Sequence, residues 1–219
     1  MEFKMLEVID RYNFDLYQSE LESIYRYRHW YFVDRLDWKA IYREDGREID
    51  DYDNDDAIHL AKLKAGRVVS YTRLIPTNRP HLLSHVYPEI MDGQDYETGK
   101  DIYEWTRFSV DPEFGNLARL NDETMFIFHG IAEYCVQKGI RHLIVETHPI
   151  YITWLSEMGW DTTPISKIKR IDGKKVVAFT AAPTVETVRI GQELLSLDHS
   201  VLSSRTEDQD MMLNLSKAS

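Results

Sequence analysis

Residues 103–111 read YEWTRFSVD. Aromatic and β-branched residues dominate the stretch, a composition that predicts a strand buried on at least one face. Yet the strand carries an acid, Glu104, and a base, Arg107. Buried charges are costly unless paired or used, so this strand must meet counter-charges or a polar ligand. The two residues stand three apart, and on a regular strand they face opposite sides of the sheet. They can serve one site only if a bulge intervenes or the strand ends near Thr106.

The flanking segments set the architecture. Upstream, AIHLAKL (57–63) and VVSYTRLIP (68–76) flank the turn KAGR and predict a hairpin. Residues 16–36 predict a helix, with Tyr17, Leu21, Ile24, Arg28 and Phe32 on one face. Arg28 interrupts that stripe, and by position alone it reads as a side chain snorkelling to the helix edge. The acid-rich segment 43–56 reads, taken alone, as a solvated loop. Residues 77–100 read as loop, with Pro80 and Pro88 arguing against a helix between them.

Downstream, a helix is expected over 117–138 with Gly139 as its stop signal, then a short strand over 140–147. A helix follows between Pro149 and Gly159. The segments 165–171 and 174–183 flank Asp172-Gly173, a strong hairpin signal. A last helix covers about 185–197. This order predicts an α/β protein: a mixed, largely antiparallel sheet with helices on both faces. Residues 1–200 read as one domain and 201–219 as a polar C-terminal tail.

Composition narrows the function. With 219 residues, 43% of them apolar, the chain can bury about 70% of its unfolded surface. A net charge of −11 argues against nucleic acid as a partner. The single cysteine, Cys135, allows no internal disulfide and suits a reducing compartment; its place on the apolar side of a helix makes it a core residue. The N-terminal segment lacks the apolar run of a signal peptide, and no stretch reaches the ~18 apolar residues of a membrane span. A cytoplasmic protein is the expectation.

Charged residues from three elements fall where a core is expected: Arg28, Arg73 in YTRLIP, and the Glu104/Arg107 pair. Together they suggest a polar pocket walled by aromatics. Glu48, Asp50 and Asp53 form E-x-D-x-x-D beyond Trp38, and acids beside an exposed indole suit a cationic ligand. The same loop lacks the D-x-[DN]-x-[DN]-G spacing and the twelfth-position glutamate of a calcium site. His81 and His85 have no third ligand near them in sequence, so no metal site is expected.

Taken in order, Arg28, Phe32, Trp38, E-x-D-x-x-D at 48–53, TRLIPT at 72–77 and EWTRFSVD at 104–111 give the chain its family resemblance. It resembles the acyl-homoserine lactone synthases of the LuxI type over about residues 15–115, and more weakly to MGW at 158–160. The resemblance implies a GNAT-like α/β/α sandwich whose central strand is splayed or bulged. It implies that the amine of S-adenosylmethionine attacks an acyl thioester on acyl carrier protein or coenzyme A. The acylated product then lactonises and releases methylthioadenosine. Both compounds are substrates; no cofactor is implied.

By the same resemblance, Asp50 and Asp53 hold the cationic side of the substrate, Trp38 and Phe32 wall it, and Arg28 or Arg107 takes its carboxylate. Arg73 and Phe108 belong to the same pocket, and Glu104 is the base, with Arg107 beside it as a second catalytic residue. A GNAT-like N-acyltransferase acting on another amine, or a binding module without turnover, are the alternatives. Two departures bear on the acyl donor. The segment DPEFGNLARL lacks the glycine-rich pyrophosphate turn of ordinary coenzyme-A-dependent GNAT enzymes. The helix IYITWLSEM holds no basic residue for docking a carrier protein, although KIKRIDGKK at 167–175 can substitute.

Overall fold

The strand predicted at 103–110 lies near the centre of the sheet. The computed structural model describes residues 5–115 and 119–205 and runs β4 from Ile102 to Val110. The other strands are β1 (Leu6–Ile9), β2 (Ile58–Lys64), β3 (Arg67–Pro76), β5 (His142–Thr147), β6 (Asp161–Pro164), β7 (Lys169–Ile171), β8 (Lys174–Ala182) and β9 (Leu202–Ser203). Their order is β6-β8-β5-β4-β3-β2-β1-β9, with β7 on β8. Both predicted hairpins form. Ala65-Gly66 and Asp172-Gly173 supply consecutive positive φ angles, the turn whose twist matches the flanking strands.

Neighbouring strands are antiparallel except β1 with β9 and β4 with β5. The β4–β5 pair matters most. It is joined only from Ile102–His142 to Glu104–Ile144. Beyond Glu104 the two strands run on without pairing, so the sheet splits along its middle.

Helices cover both faces. On one side, α1 (Gln18–Arg28) places Leu21 and Ile24 against Ile9, Ala61 and Tyr71. On the other, α3 (Asp122–Lys138), α4 (Ile150–Glu157) and α5 (Val185–Leu195) cover the larger core, which includes Leu60, Leu74, Trp105, Leu143 and Phe179. A smaller cluster around Leu83, Ile102, Ile144 and Ala178 lies under α2 (Leu82–His85). Ile144 alternates with Leu143 and Val145 along β5, so this cluster shares the α1 side. The GNAT-like mixed sheet expected from the sequence is the fold observed.

Several expectations change. The helix read over 16–36 opens as a 3-10 turn at Phe14–Tyr17 and widens into π-helix over His29–Arg35. Arg28 does not snorkel; it is fully buried. Helix α3 begins at Asp122 rather than 117, because the Asn121 side chain caps it by accepting from the Glu123 and Thr124 N–H groups. Residues 116–118, where the earlier start fell, lie outside the described residues. Helix α2 fits between Pro80 and Pro88, where loop was expected. Strands β1, β6 and β9 were not foreseen. Residues 201–205, read as the start of the tail, join the fold: β9 pairs with β1, and the Arg205 N–H donates to the Tyr17 hydroxyl at 2.7 Å. Residues 206–219 lie outside the described residues. Among the described residues no helix is long and apolar enough to cross a membrane.

Candidate active site

A bulge resolves the conflict between Glu104 and Arg107. Tyr71 pairs with Ser109 but Arg73 pairs with Thr106, so Thr72 alone faces both Arg107 and Phe108. Arg107 takes φ of 56°, the left-handed region that a long side chain rarely enters. The Thr72 hydroxyl donates to the Thr106 carbonyl at 3.0 Å and anchors the kink. The extra residue returns Arg107 to the α1 side, where Glu104 already points. Trp105 and Phe108 face the opposite core. Strain of this kind costs about 1–3 kcal/mol and gathers at functional sites.

On the α1 side, three arginines meet three acids. Arg28 donates from Nε to Glu48 at 2.6 Å and forks both Nη atoms onto Asp53 at 2.6 and 2.9 Å. Arg73 forks onto Asp50 at 2.6 and 2.9 Å, touches Asp53 at 2.6 Å and donates to the Thr106 hydroxyl. Arg107 reaches Glu48 at 3.0 Å and Asp50 at 2.8 Å. Burial alone pushes the Asp53 carboxyl up, but Arg28 and Arg73 outweigh it and hold the group far below the usual carboxylate range. Asp50 is likewise held low by Arg73 and Arg107 against its burial. Burial, with Arg28 and Arg73 beside it, lowers His59 to about 4, and its neutral ring pairs with the Tyr71 hydroxyl at 2.8 Å.

A cavity of about 590 Å³ opens where β4 and β5 part, within the range of small-molecule sites. Of the candidate site residues, Phe32, Trp38, Arg107 and Phe108 line it. Trp38 stacks on Phe32 with centroids 5.0 Å apart and keeps 38% of its surface exposed. Trp105, Val145, Tyr151 and Leu155 give it an apolar part of its wall. Trp105 is backed by Trp160, stacked at 5.9 Å.

Arg28, Asp50, Asp53 and Arg73 do not line the cavity. The charges expected to grip a ligand grip each other and form a neutral frame behind the wall. Glu104 is fully buried too, and its oxygens accept the N–H groups of Leu82 and Leu83 at 2.8 and 2.6 Å. Burial raises it to about 7, against the pull of those N–H groups and of Arg73 and Arg107. Sequence reasoning passed over the role of Glu48, which bridges Arg28 and Arg107, and over Glu146, which lines the cavity; Lys174, read as part of a docking segment at 167–175, lines it too. Glu146 had a readable signal: an acid inside the apolar strand LIVET, the same anomaly that singled out Glu104.

A mixed sheet whose central parallel strands part over a substrate-sized cavity, with a bulge on one lip, defines a GNAT-like acyltransferase fold. The chain belongs to the autoinducer synthase family, whose model matches residues 13–189. It is 30% identical over 187 residues to isovaleryl-homoserine lactone synthase of Bradyrhizobium diazoefficiens, covering 84% of this chain and 81% of that one. The solved structure of a CoA-dependent acyl-homoserine lactone synthase, BjaI, with SAM and isopentyl-CoA, superposes with a TM-score of 0.85 at 26% identity, covering 97% of this chain and 99% of that one. That of a second CoA-dependent acyl-homoserine lactone synthase, MesI, gives 0.80 at 27% identity, covering 90% and 98%.

Proposed function

We propose that this protein is an acyl-homoserine lactone synthase that uses acyl-coenzyme A with a compact acyl group. In this reading the amine of S-adenosylmethionine attacks the thioester carbon, the thiol leaves, and the acylated intermediate lactonises with loss of methylthioadenosine. The observation that carries the reading is that one cavity at the strand split joins a polar half to an apolar half. The polar half holds Arg107 and Trp38 and suits a zwitterion bearing a sulfonium. The Arg107 fork is already engaged by Glu48 and Asp50, so it presents one remaining edge to a substrate carboxylate. The bulge leaves backbone out of the ladder at Arg107–Phe108, which supports a role for an N–H there in stabilising the thioester oxyanion.

The apolar half supports a short, branched or aromatic acyl group, because the Trp105–Trp160 stack and Tyr151 close its end. Coenzyme A is favoured over a carrier protein on charge. The chain carries −11 overall, and α4 has no basic residue to receive an acidic protein. A small anion needs only local cations, and Lys39 and Lys174 flank the cavity. The site residues take these roles in the proposal: Phe32, Trp38, Arg107 and Phe108 contact substrate, while Arg28, Asp50, Asp53 and Arg73 hold that wall in place.

The test is direct. Purified protein is incubated with S-adenosylmethionine and matched acyl-coenzyme A and acyl carrier protein donors, and products are read by mass spectrometry. Methylthioadenosine and lactone, formed faster from coenzyme A, are expected. Acylated amine without methylthioadenosine would replace the reading with an N-acyltransferase of another kind. Faster turnover with the carrier protein would overturn the donor assignment.

A further inference from the structure

The amine of S-adenosylmethionine is protonated at neutral pH and must lose a proton before it attacks. Glu104 is poorly placed to receive it. Both of its oxygens are occupied by the backbone at the start of α2, none of its surface is exposed, and it does not line the cavity. Glu146 differs on each count. It lies on β5 and lines the cavity. Its Oε1 is buried with no hydrogen-bond partner among the described residues. An orphaned carboxylate oxygen in an apolar wall costs stability unless something arrives to meet it.

Topology brings the two acids together. Glu104 pairs in register with Ile144, and Glu146 stands two residues further along the same face of β5. The strands part just beyond, so Glu146 sits on the lip of the split while Glu104 stays behind it. Leu82, Ile90 and Val176 contribute apolar wall to the same cavity. Resting on the function proposed above, we infer that Glu146 is the catalytic base: it meets the α-ammonium of S-adenosylmethionine and takes its proton, with Glu104 as its positioning partner.

The step balances. The ammonium gives one proton to the Glu146 carboxylate, and the freed lone pair forms the C–N bond at the thioester carbon. The C–S bond breaks, the departing thiolate takes the proton from Glu146, and the second amine proton passes to solvent. Burial, and then the charge of Glu104, raise Glu146 well above the ordinary carboxylate value. The other titratable or charged groups on the cavity lining are Asp37, Lys39, Tyr87, Arg107, Tyr151, Asp172 and Lys174, and Tyr96 feels the charge of Glu146. The charge of Glu104 adds to burial in disfavouring the Glu146 carboxylate, so the form that takes the proton gains population as pH rises. As a carboxylate, Glu146 carries a negative charge toward a substrate whose sulfonium, ammonium and carboxylate sum to one positive charge.

The experiment compares wild type, Glu146→Gln and Glu146→Asp, reading single-turnover acylation from acyl-coenzyme A across about pH 5–9 and S-adenosylmethionine affinity by calorimetry. Wild-type acylation is expected to rise with pH through the titration of the pair. Glu146→Gln is expected to lose about 10²–10⁴-fold in acylation rate and to flatten that rise, while affinity falls by a smaller factor. Glu146→Asp is expected to keep the rise at reduced rate. Its rise is read in the same way if Glu146→Gln does not fold, and a flat Glu146→Asp profile would then reject the assignment. A Glu146→Gln rate within about threefold of wild type, equal losses in rate and affinity, or an unaltered pH rise would overturn it. Failure of wild type to form any lactone sinks the functional proposal instead, a result separable from these.

Discussion

Replacing Arg28 with Met tests whether the charged frame is structural. The guanidinium is fully buried and holds Glu48 and Asp53, whose side chains are 1% and 0% exposed. Met keeps most of the side-chain volume and removes the charge, so two buried carboxylates lose their main partner. Breaking a buried pair by deleting one member costs about 3–5 kcal/mol. Whole-domain stability is about 5–15 kcal/mol, so the loss is large but survivable. For a chain of this length each kcal/mol moves Tm by about 2–4 °C, which predicts a drop of about 6–20 °C.

The pH dependence of that deficit is the sharper readout. Asp53 is held below its ordinary value of 3.8 in the fold, so the stability it contributes is present above 3.8 and lost as pH falls through the folded value. Arg28→Met removes much of that depression. The gap between wild type and variant is therefore full near neutrality and narrows as the medium is acidified toward and below 3.8. Urea unfolding at about pH 7, 5, 4 and 3 measures it. Adding Asp53→Asn to Arg28→Met is expected to recover part of the loss, because the stranded charge is gone. A deficit under about 1 kcal/mol, or one that stays constant with pH, would refute the buried-frame reasoning.

Lys174→Glu, at the cavity mouth, is expected to raise KM for acyl-coenzyme A by about 3–10-fold while leaving affinity for S-adenosylmethionine unchanged; the scale is that of one exposed charge contact. Tyr151→Ala opens the apolar end and is expected to shift the ratio of kcat/KM values toward longer acyl chains, measured with a chain-length series. Cys135 is fully buried in α3, and burial raises its thiol; Cys135→Ala is expected to keep activity, and folded wild type to resist an aromatic disulfide reagent over the time of the assay.

The elements with local causes were legible. Ala65-Gly66 and Asp172-Gly173 fixed two hairpins because their turns need positive φ, and Gly139 ended α3 in the same left-handed region. What escaped had tertiary causes. LEVI at β1 is four residues long and becomes a strand by lying between β2 and β9. No local signal marks Arg107 as left-handed, since Arg has no preference for that region; the bulge follows from the six-membered ion network pulling the side chain to the α1 side. The residues alone posed the conflict between Glu104 and Arg107, and the family resemblance supplied the bulge as its answer. The split between β4 and β5 is a relation between strands, so it has no signature in either one.

The site was legible in a different sense: the charged residues were found, but their partners were not. Buried charge has to be neutralised before it can serve a ligand. Arg28, Arg73 and Arg107 against Glu48, Asp50 and Asp53 sum to zero. Subtracting that frame leaves Glu104 and Glu146 at the strand split with no arginine fork among the described residues, and of these two Glu146 lines the cavity, with Asp37 and Asp172 elsewhere on its wall. Sequence spacing cannot perform this subtraction, because it depends on which carboxylate each guanidinium reaches in space. In the proposal, the prominent acidic loop around Asp50 and Asp53 therefore supports the wall, and the inconspicuous acid in LIVET meets the substrate. Were the frame instead to carry a net charge, the substrate's cation would have a competing partner and Glu146 would lose its claim.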